Sequence, residues 1–149
     1  MRFHSAICGV VAAALAGVVA AACSSDGSSS DEPTCLPQAA TTDCTPTYEP
    51  TFHNVWETTL KPICAANGCH SGSMPTGNMS LEDEAQAYTN LLMKSSNGEP
   101  RVTAGDVKCG KVVVRLNSKN EAYSMPPTMS LPANDLCSIM QWIAMGAKQ

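Results

Sequence analysis

Six cysteines beyond residue 23, in a chain of 149 residues with only 5% aromatic side chains, limit what this protein can fold into more than any other feature. A domain of this size has much surface and a small core, so side-chain burial alone leaves it marginal. Something covalent is expected to supply part of its stability. Cysteine does this in two ways, by pairing with another cysteine or by holding a prosthetic group.

The compartment follows from the first segment. Arg2 precedes an apolar run from Ala6 to Ala22, and Val19-Ala20-Ala21-Ala22 leads with small residues into Cys23. This pattern predicts a secretory signal over residues 1–22. The run is short and interrupted by Gly9 and Gly17, which disfavours a membrane span, an uncleaved anchor being the alternative. The stretch Ala20-Ala21-Ala22-Cys23 also resembles a bacterial lipobox, with Ala20 where a leucine is usual. That resemblance implies lipidation of Cys23 and a chain anchored to a membrane, facing the periplasm.

Without residues 1–22 the chain has eight basic against thirteen acidic residues, and two histidines, His53 and His70. It has no basic cluster, so nucleic acid is not an expected partner. From Ser24 to Pro50 the composition is Ser, Thr, Pro, Asp and Glu with no apolar periodicity, which predicts a flexible tether over residues 23–50. Cys35 and Cys44 fall within it. Their nearness predicts a local disulfide worth roughly 2.7 kcal/mol by loop entropy.

The folded domain is expected over residues 51–149. Phe52, Val55, Trp56, Thr59, Leu60 and Ile63 form one helical stripe, and Pro62 places the helix end close to it. Ser80-Leu81-Glu82-Asp83 has the pattern of a capping box before a second helix, with Ala85, Tyr88, Leu91 and Leu92 on one face, ending by Asn97-Gly98. A last helix starts near Leu131-Pro132, carries Leu136, Ile139, Met140, Ile143 and Ala147 on one side, and stops near Gly146. Val112-Val113-Val114 prefers a strand by propensity, but no second strand is available to pair with it. A short helix capped by Asp106 is therefore expected. The fold class is all-α, a small helical domain with long loops.

The segment with chemistry in it is Cys64-Ala65-Ala66-Asn67-Gly68-Cys69-His70. Two thiols followed at once by an imidazole are what covalent haem attachment needs, each sulfur adding to one vinyl group while the histidine ligates iron. Four residues separate the thiols here where two are usual, so the extra pair must bulge, and Asn67-Gly68 tolerates the positive φ this requires. A Cys64–Cys69 disulfide beside an idle His70 is the plain alternative, worth roughly 2.2 kcal/mol. A Cys2His zinc site lacks a fourth ligand, and a thioredoxin-like motif would need another spacing and a βαβ context. Six cysteines allow three disulfides, or two disulfides and one haem; either way Cys109 and Cys137 are natural partners, their bond worth roughly 3.6 kcal/mol.

Residues Cys69-His70-Ser71-Gly72, Met79-Ser80-Leu81, Ala87-Tyr88, Leu91, Gly105-Asp106, Met125-Pro126-Pro127, Leu131, Trp142-Ile143 and Gly146-Ala147 occur in that order. In order and spacing, the segment from Ile63 to Ala147 resembles the small class I c-type cytochrome domains of bacterial lipoproteins. The resemblance implies one covalent haem c held by Cys64 and Cys69, with His70 as proximal and Met125 as distal axial ligand. Met129, four residues on, is the main rival, while Met140 lies on the core stripe. His53 as a distal ligand would give bis-imidazole iron, but a surface position on a first helical turn fits it better. Trp56, Tyr88 and Trp142 read as core or haem-edge packing.

With both axial positions filled by protein, the implied role is electron transfer and not catalysis. The acidic balance favours a redox partner with a basic docking surface. A haem-free, disulfide-stapled envelope lipoprotein with a binding or structural role is the alternative, as is one subunit of a larger membrane oxidoreductase.

Overall fold

The computed structural model describes residues 31–149. The expected leader and Cys23 lie outside the described residues. Among the described residues the regular structure is helical, with α1 (Phe52–Val55) running directly into a π-helix (Trp56–Cys64), then α2 (Glu84–Leu92), α3 (Lys111–Asn117) and α4 (Ala133–Ala144). Short 3-10 turns at Ala66–Gly68 and Thr76–Asn78 join the π-helix to the loop before α2. This agrees with the all-α expectation.

The first helix ends at Cys64, close to Pro62 as expected, with the proline itself inside the last turn. Proline has no N–H and its ring crowds the carbonyl four residues back, so a regular α-turn is blocked there. The wider π geometry avoids that contact and carries the helix on to Cys64, with Ala65 N–H donating to the Leu60 carbonyl at 2.9 Å. Thr51 caps the helix, its Oγ1 accepting from Asn54 N–H. Phe52, Val55, Thr59 and Leu60 are buried, as the stripe requires.

Asp83 caps α2 by accepting from Gln86 N–H. The middle segment is a helix, as expected, but Asp106 does not cap it. Asp106 instead accepts from Lys108 and Cys109 N–H, closing the turn before the helix. Gly110 precedes α3 with φ 105°, and Lys111 and Val112 N–H donate to the carbonyls of Pro100 and Arg101. The free donors of the helix N-terminus are thus met by backbone, not by a side-chain cap. A Cβ at Gly110 would stand 3.1 Å from the Arg101 carbonyl oxygen in a conformation unfavourable to L-residues. Gly110→Ala should therefore cost about 2 kcal/mol, read by denaturant unfolding with the m-value unchanged.

The core lies where α1, the π-helix, α2 and α4 meet. Phe52 packs on Tyr88 edge-on at 5.0 Å and on Trp142 at 5.2 Å between ring centroids. Ile139, Met140 and Ile143 of α4 complete it together with Val113 of α3. Trp56 donates its indole N–H to the Leu81 carbonyl and Trp142 to the Lys148 carbonyl, so both indoles have their polar edge satisfied. Among the described residues no helix is long and apolar enough to cross a membrane.

Two expectations are corrected here. Residues 31–50 are not a free tether: they run along the domain, with Leu36 N–H donating to Lys108 O, Ala40 N–H to Val107 O and Thr47 N–H to Asn134 O. Leu36, Ala40 and Tyr48 pack against the core, and the Gln141 amide donates to the Thr42 and Cys44 carbonyls. The disulfide pairing is also different. Cys35 bonds to Cys109 and Cys44 to Cys137, in place of the expected Cys35–Cys44 and Cys109–Cys137 bonds. The physical reason is common to both: the backbone bonds of Leu36, Ala40 and Thr47 lay this segment along the domain, which sets Cys35 beside the turn before α3 and Cys44 beside α4.

Glu32 secures the start of this segment. Its carboxylate, 3% exposed, accepts from Arg115 Nε at 2.6 Å and Nη2 at 2.9 Å and from Lys111 Nζ at 3.0 Å. Burial pushes its pKa up, but the hydrogen bonds and charges of Arg115 and Lys111 together outweigh burial and leave it below the usual glutamate value. A carboxyl lowered in the folded state contributes stability that is complete above its unfolded value and lost as pH falls through the folded one. Glu32→Gln should destabilise the protein by roughly 2 to 3 kcal/mol near neutral pH. The deficit should shrink as pH falls below about 4.5, followed by unfolding across an acid series.

Candidate functional site

The π-helix delivers Cys64 to the mouth of a cleft, and the turn that follows brings Cys69 and His70 back to it. Gly68 takes φ 75° in this turn, the positive-φ bulge expected for the wide cysteine spacing. His70 N–H donates to the Cys64 carbonyl at 3.1 Å, which holds the two residues together across the bulge. The His70 carbonyl in turn accepts from Leu81 N–H at 2.8 Å, tying the turn to the segment before α2.

The imidazole is half-buried and oriented. Its Nδ1 lies 3.0 Å from the Thr76 carbonyl oxygen, which can only accept, so Nδ1 carries the proton and Nε2 the lone pair. Burial lowers the ring's pKa, against the opposing pull of backbone hydrogen bonds to Thr76 and Met79, with a smaller lowering from Arg115 and Arg101. The ring's orientation is thus set by backbone on one side, as the outer hydrogen bond of a metal-ligating histidine sets it.

His70 faces a cleft of about 970 Å³, counting its open mouth, whose apolar wall includes Leu60, Leu91, Val112 and Leu116. A second hollow of about 420 Å³, walled by Cys64, Cys69, His70, Leu116, Met125, Pro126 and Pro127, shares several of those walls. Cys64, His70 and Met125 line both. Four residues singled out in the sequence, Cys64, Cys69, His70 and Met125, are thereby brought to one place although Met125 is 55 positions from His70 in the chain.

The methionines are sorted by the same geometry. Met129 is 55% exposed and lines neither hollow, and Met140 is buried in the core. Met79 also lines the larger cleft, but its backbone bonds to the His70 ring, so it belongs to the wall that bears the histidine. His53 is exposed, with Nδ1 at 3.2 Å from the Glu84 carboxylate, and takes no part in the cleft. Trp56, Tyr88 and Trp142 pack in or against the core and do not line it.

Cys64 and Cys69 are not bonded to each other. Cys64 carries a free thiol, and burial pushes its pKa up to about 11. At neutral pH it is therefore protonated and slow to enter disulfide exchange. Cys69 is disulfide-bonded. Among the described residues there is no group of three or more His, Cys, Asp or Glu side chains that could hold a metal ion, which leaves a Cys2His zinc site without support. An oriented imidazole, a thioether and the Cys64 thiol around an apolar hollow suit a haem, whereas Cys69 offers a thiol for covalent attachment only once its disulfide is reduced.

Comparison of the chain with family models, with curated proteins and with solved structures gives no match in any of the three.

Sequence reasoning missed three cations that line the cleft: Arg101, Lys111 and Arg115. Lys111 and Arg115 are four residues apart on the expected short helix, which places them on one face and was a usable signal. Arg101 had none, because its side chain is placed by contacts to Asn90 and Gly77, remote in the chain.

Proposed function

We propose that this protein is a lipid-anchored c-type cytochrome that transfers electrons through one covalent haem. The observation that carries the reading is that His70 and Met125 line one apolar hollow together with Cys64 and Cys69. In this reading Cys64 and Cys69 hold the porphyrin as thioethers, His70 is the proximal ligand and Met125 the distal one. The bound haem iron would supply the one-electron couple.

The chain's own residues account for the rest. The Thr76 carbonyl holds the His70 proton at Nδ1 and so keeps Nε2 as the donor atom. Leu60, Leu91, Val112 and Leu116 exclude water from the wall of the cleft. The Met125 thioether, a soft donor, favours the reduced metal and so a higher potential. Cys69 must be reduced before it forms a thioether, because it is disulfide-bonded in the structure. With thirteen acidic against nine basic residues, the surface suits a basic redox partner whose binding weakens with salt.

The same oxidised Cys69, with the two interleaved disulfides, favours a second reading, a haem-free stapled lipoprotein that binds another apolar ligand. Export of the full chain in a host with haem-attachment machinery separates the two. A red protein with a sharp reduced α band, and one haem in mass on the peptide containing Cys64 and Cys69, supports the cytochrome. A colourless product with Cys69 still oxidised leaves the stapled lipoprotein.

A further inference from the structure

Three cations line the cleft, and they are not equivalent. Arg115 is paired with Glu32, and Lys111 with Glu32 and Glu99, so two positive charges face two negative ones. Arg101 stands apart. It is 7% exposed, yet its guanidinium meets only backbone carbonyls, Nη1 donating to Asn90 O and Nη2 to Gly77 O, each at 2.8 Å. A guanidinium has five N–H donors, and the remaining three have no acceptor among the described residues. No carboxylate lies within ion-pair distance of it among them.

A buried cation is costly unless it is paired, and folds retain one where a partner arrives from elsewhere. We propose that Arg101 is the anion-binding residue of the cleft: the ligand presents a carboxylate to this guanidinium and lays its apolar body against the wall that carries Leu60, Leu116 and Met125. Carbonyls on both sides hold the guanidinium in place, so little is lost in ordering it when the ligand binds. The backbone of Arg101 is fixed as well, through Val112 N–H at the start of α3. Burial depresses the Arg101 pKa, but a guanidinium is not deprotonated in proteins, so the group stays charged at any ordinary pH. This inference rests on the cleft being a ligand site, as the proposed function holds, but not on the ligand being haem.

The test uses the full chain exported in a host without haem-attachment machinery, and two pairs of probes that differ in charge. Protoporphyrin IX is compared with its dimethyl ester, and anilinonaphthalene sulfonate with neutral N-phenylnaphthylamine, each titrated by fluorescence. The anionic member should bind the wild-type protein about 30-fold more tightly than the neutral one in at least one pair. Arg101→Gln should abolish that preference, and Arg101→Lys should keep most of it. Equal affinities for both members of each pair in the wild-type protein, or a preference that survives Arg101→Gln, overturn the proposal, as does failure of all four probes to bind. The wild-type comparison stands even if the glutamine variant does not fold. Should the small pair show the Arg101-dependent preference while neither porphyrin binds, the anion site holds and the haem reading falls.

Discussion

Replacing Cys44 and Cys137 together by serine should lower the stability of this protein by about 4 kcal/mol, and its melting temperature by roughly 15 °C. The loop closed by this bond spans 93 positions, which alone would give about 4.7 kcal/mol by loop entropy. The surviving Cys35–Cys109 bond shortens the path, since the unfolded chain can reach from 44 to 137 across it in roughly 40 residues, which reduces the figure. Folded-state contacts add to the effect. The Gln141 amide holds the Thr42 and Cys44 carbonyls, and Ser138 Oγ accepts from Thr47 N–H at 3.1 Å, so freeing residue 44 loosens a seam along α4. Non-reducing peptide mapping with denaturant unfolding reads both halves. If mapping instead finds Cys35 joined to Cys44, the interleaved arrangement is wrong.

If the protein is the proposed cytochrome, substitution of His70 by alanine should lower haem content roughly 10-fold or more, because it removes the one imidazole that faces the cleft among the described residues. His53→Ala should leave haem content as it is, since that ring is exposed and engaged with Glu84. Met125→Ala should leave the thioethers in place but remove the weak far-red sulfur-to-iron band of the oxidised protein. Met79→Ala and Met129→Ala should keep it, the first because Met79 shares the histidine's wall, the second because Met129 lies outside the cleft. Pyridine haemochrome assay and absorption spectra of the five variants decide the matter. A band lost in Met129→Ala and retained in Met125→Ala would reassign the distal ligand.

The disulfides and the cleft are mechanically related. Cys109 ends the turn that presents α3, and α3 supplies Lys111, Val112, Arg115 and Leu116 to the cleft wall. Glu32 grips the same helix from the segment that the disulfides fasten to the domain. Residues that composition alone assigns to a linker therefore brace one wall of the cleft.

What is local in energy was legible without coordinates. Helical periodicity marked the stripe from Phe52, α2 behind Asp83 and the apolar face of α4, because burial on one side of a helix writes itself into spacings of three and four residues. The turn between Cys64 and His70 was legible for the same reason, the positive φ of Gly68 being set within seven consecutive positions. Long-range geometry was not. Cysteine spacing carries no information about which thiols meet, so the bonds from Cys35 to Cys109 and from Cys44 to Cys137 emerge only when the chain is folded. A Ser/Thr/Pro-rich stretch reads as a linker until the tertiary structure provides carbonyls, a core edge and two sulfurs to receive it. The placement of Arg101 beside Cys64, His70 and Met125 likewise depends on carbonyls of Asn90 and Gly77, and only the packing of α2 and α3 around the cleft sets those positions.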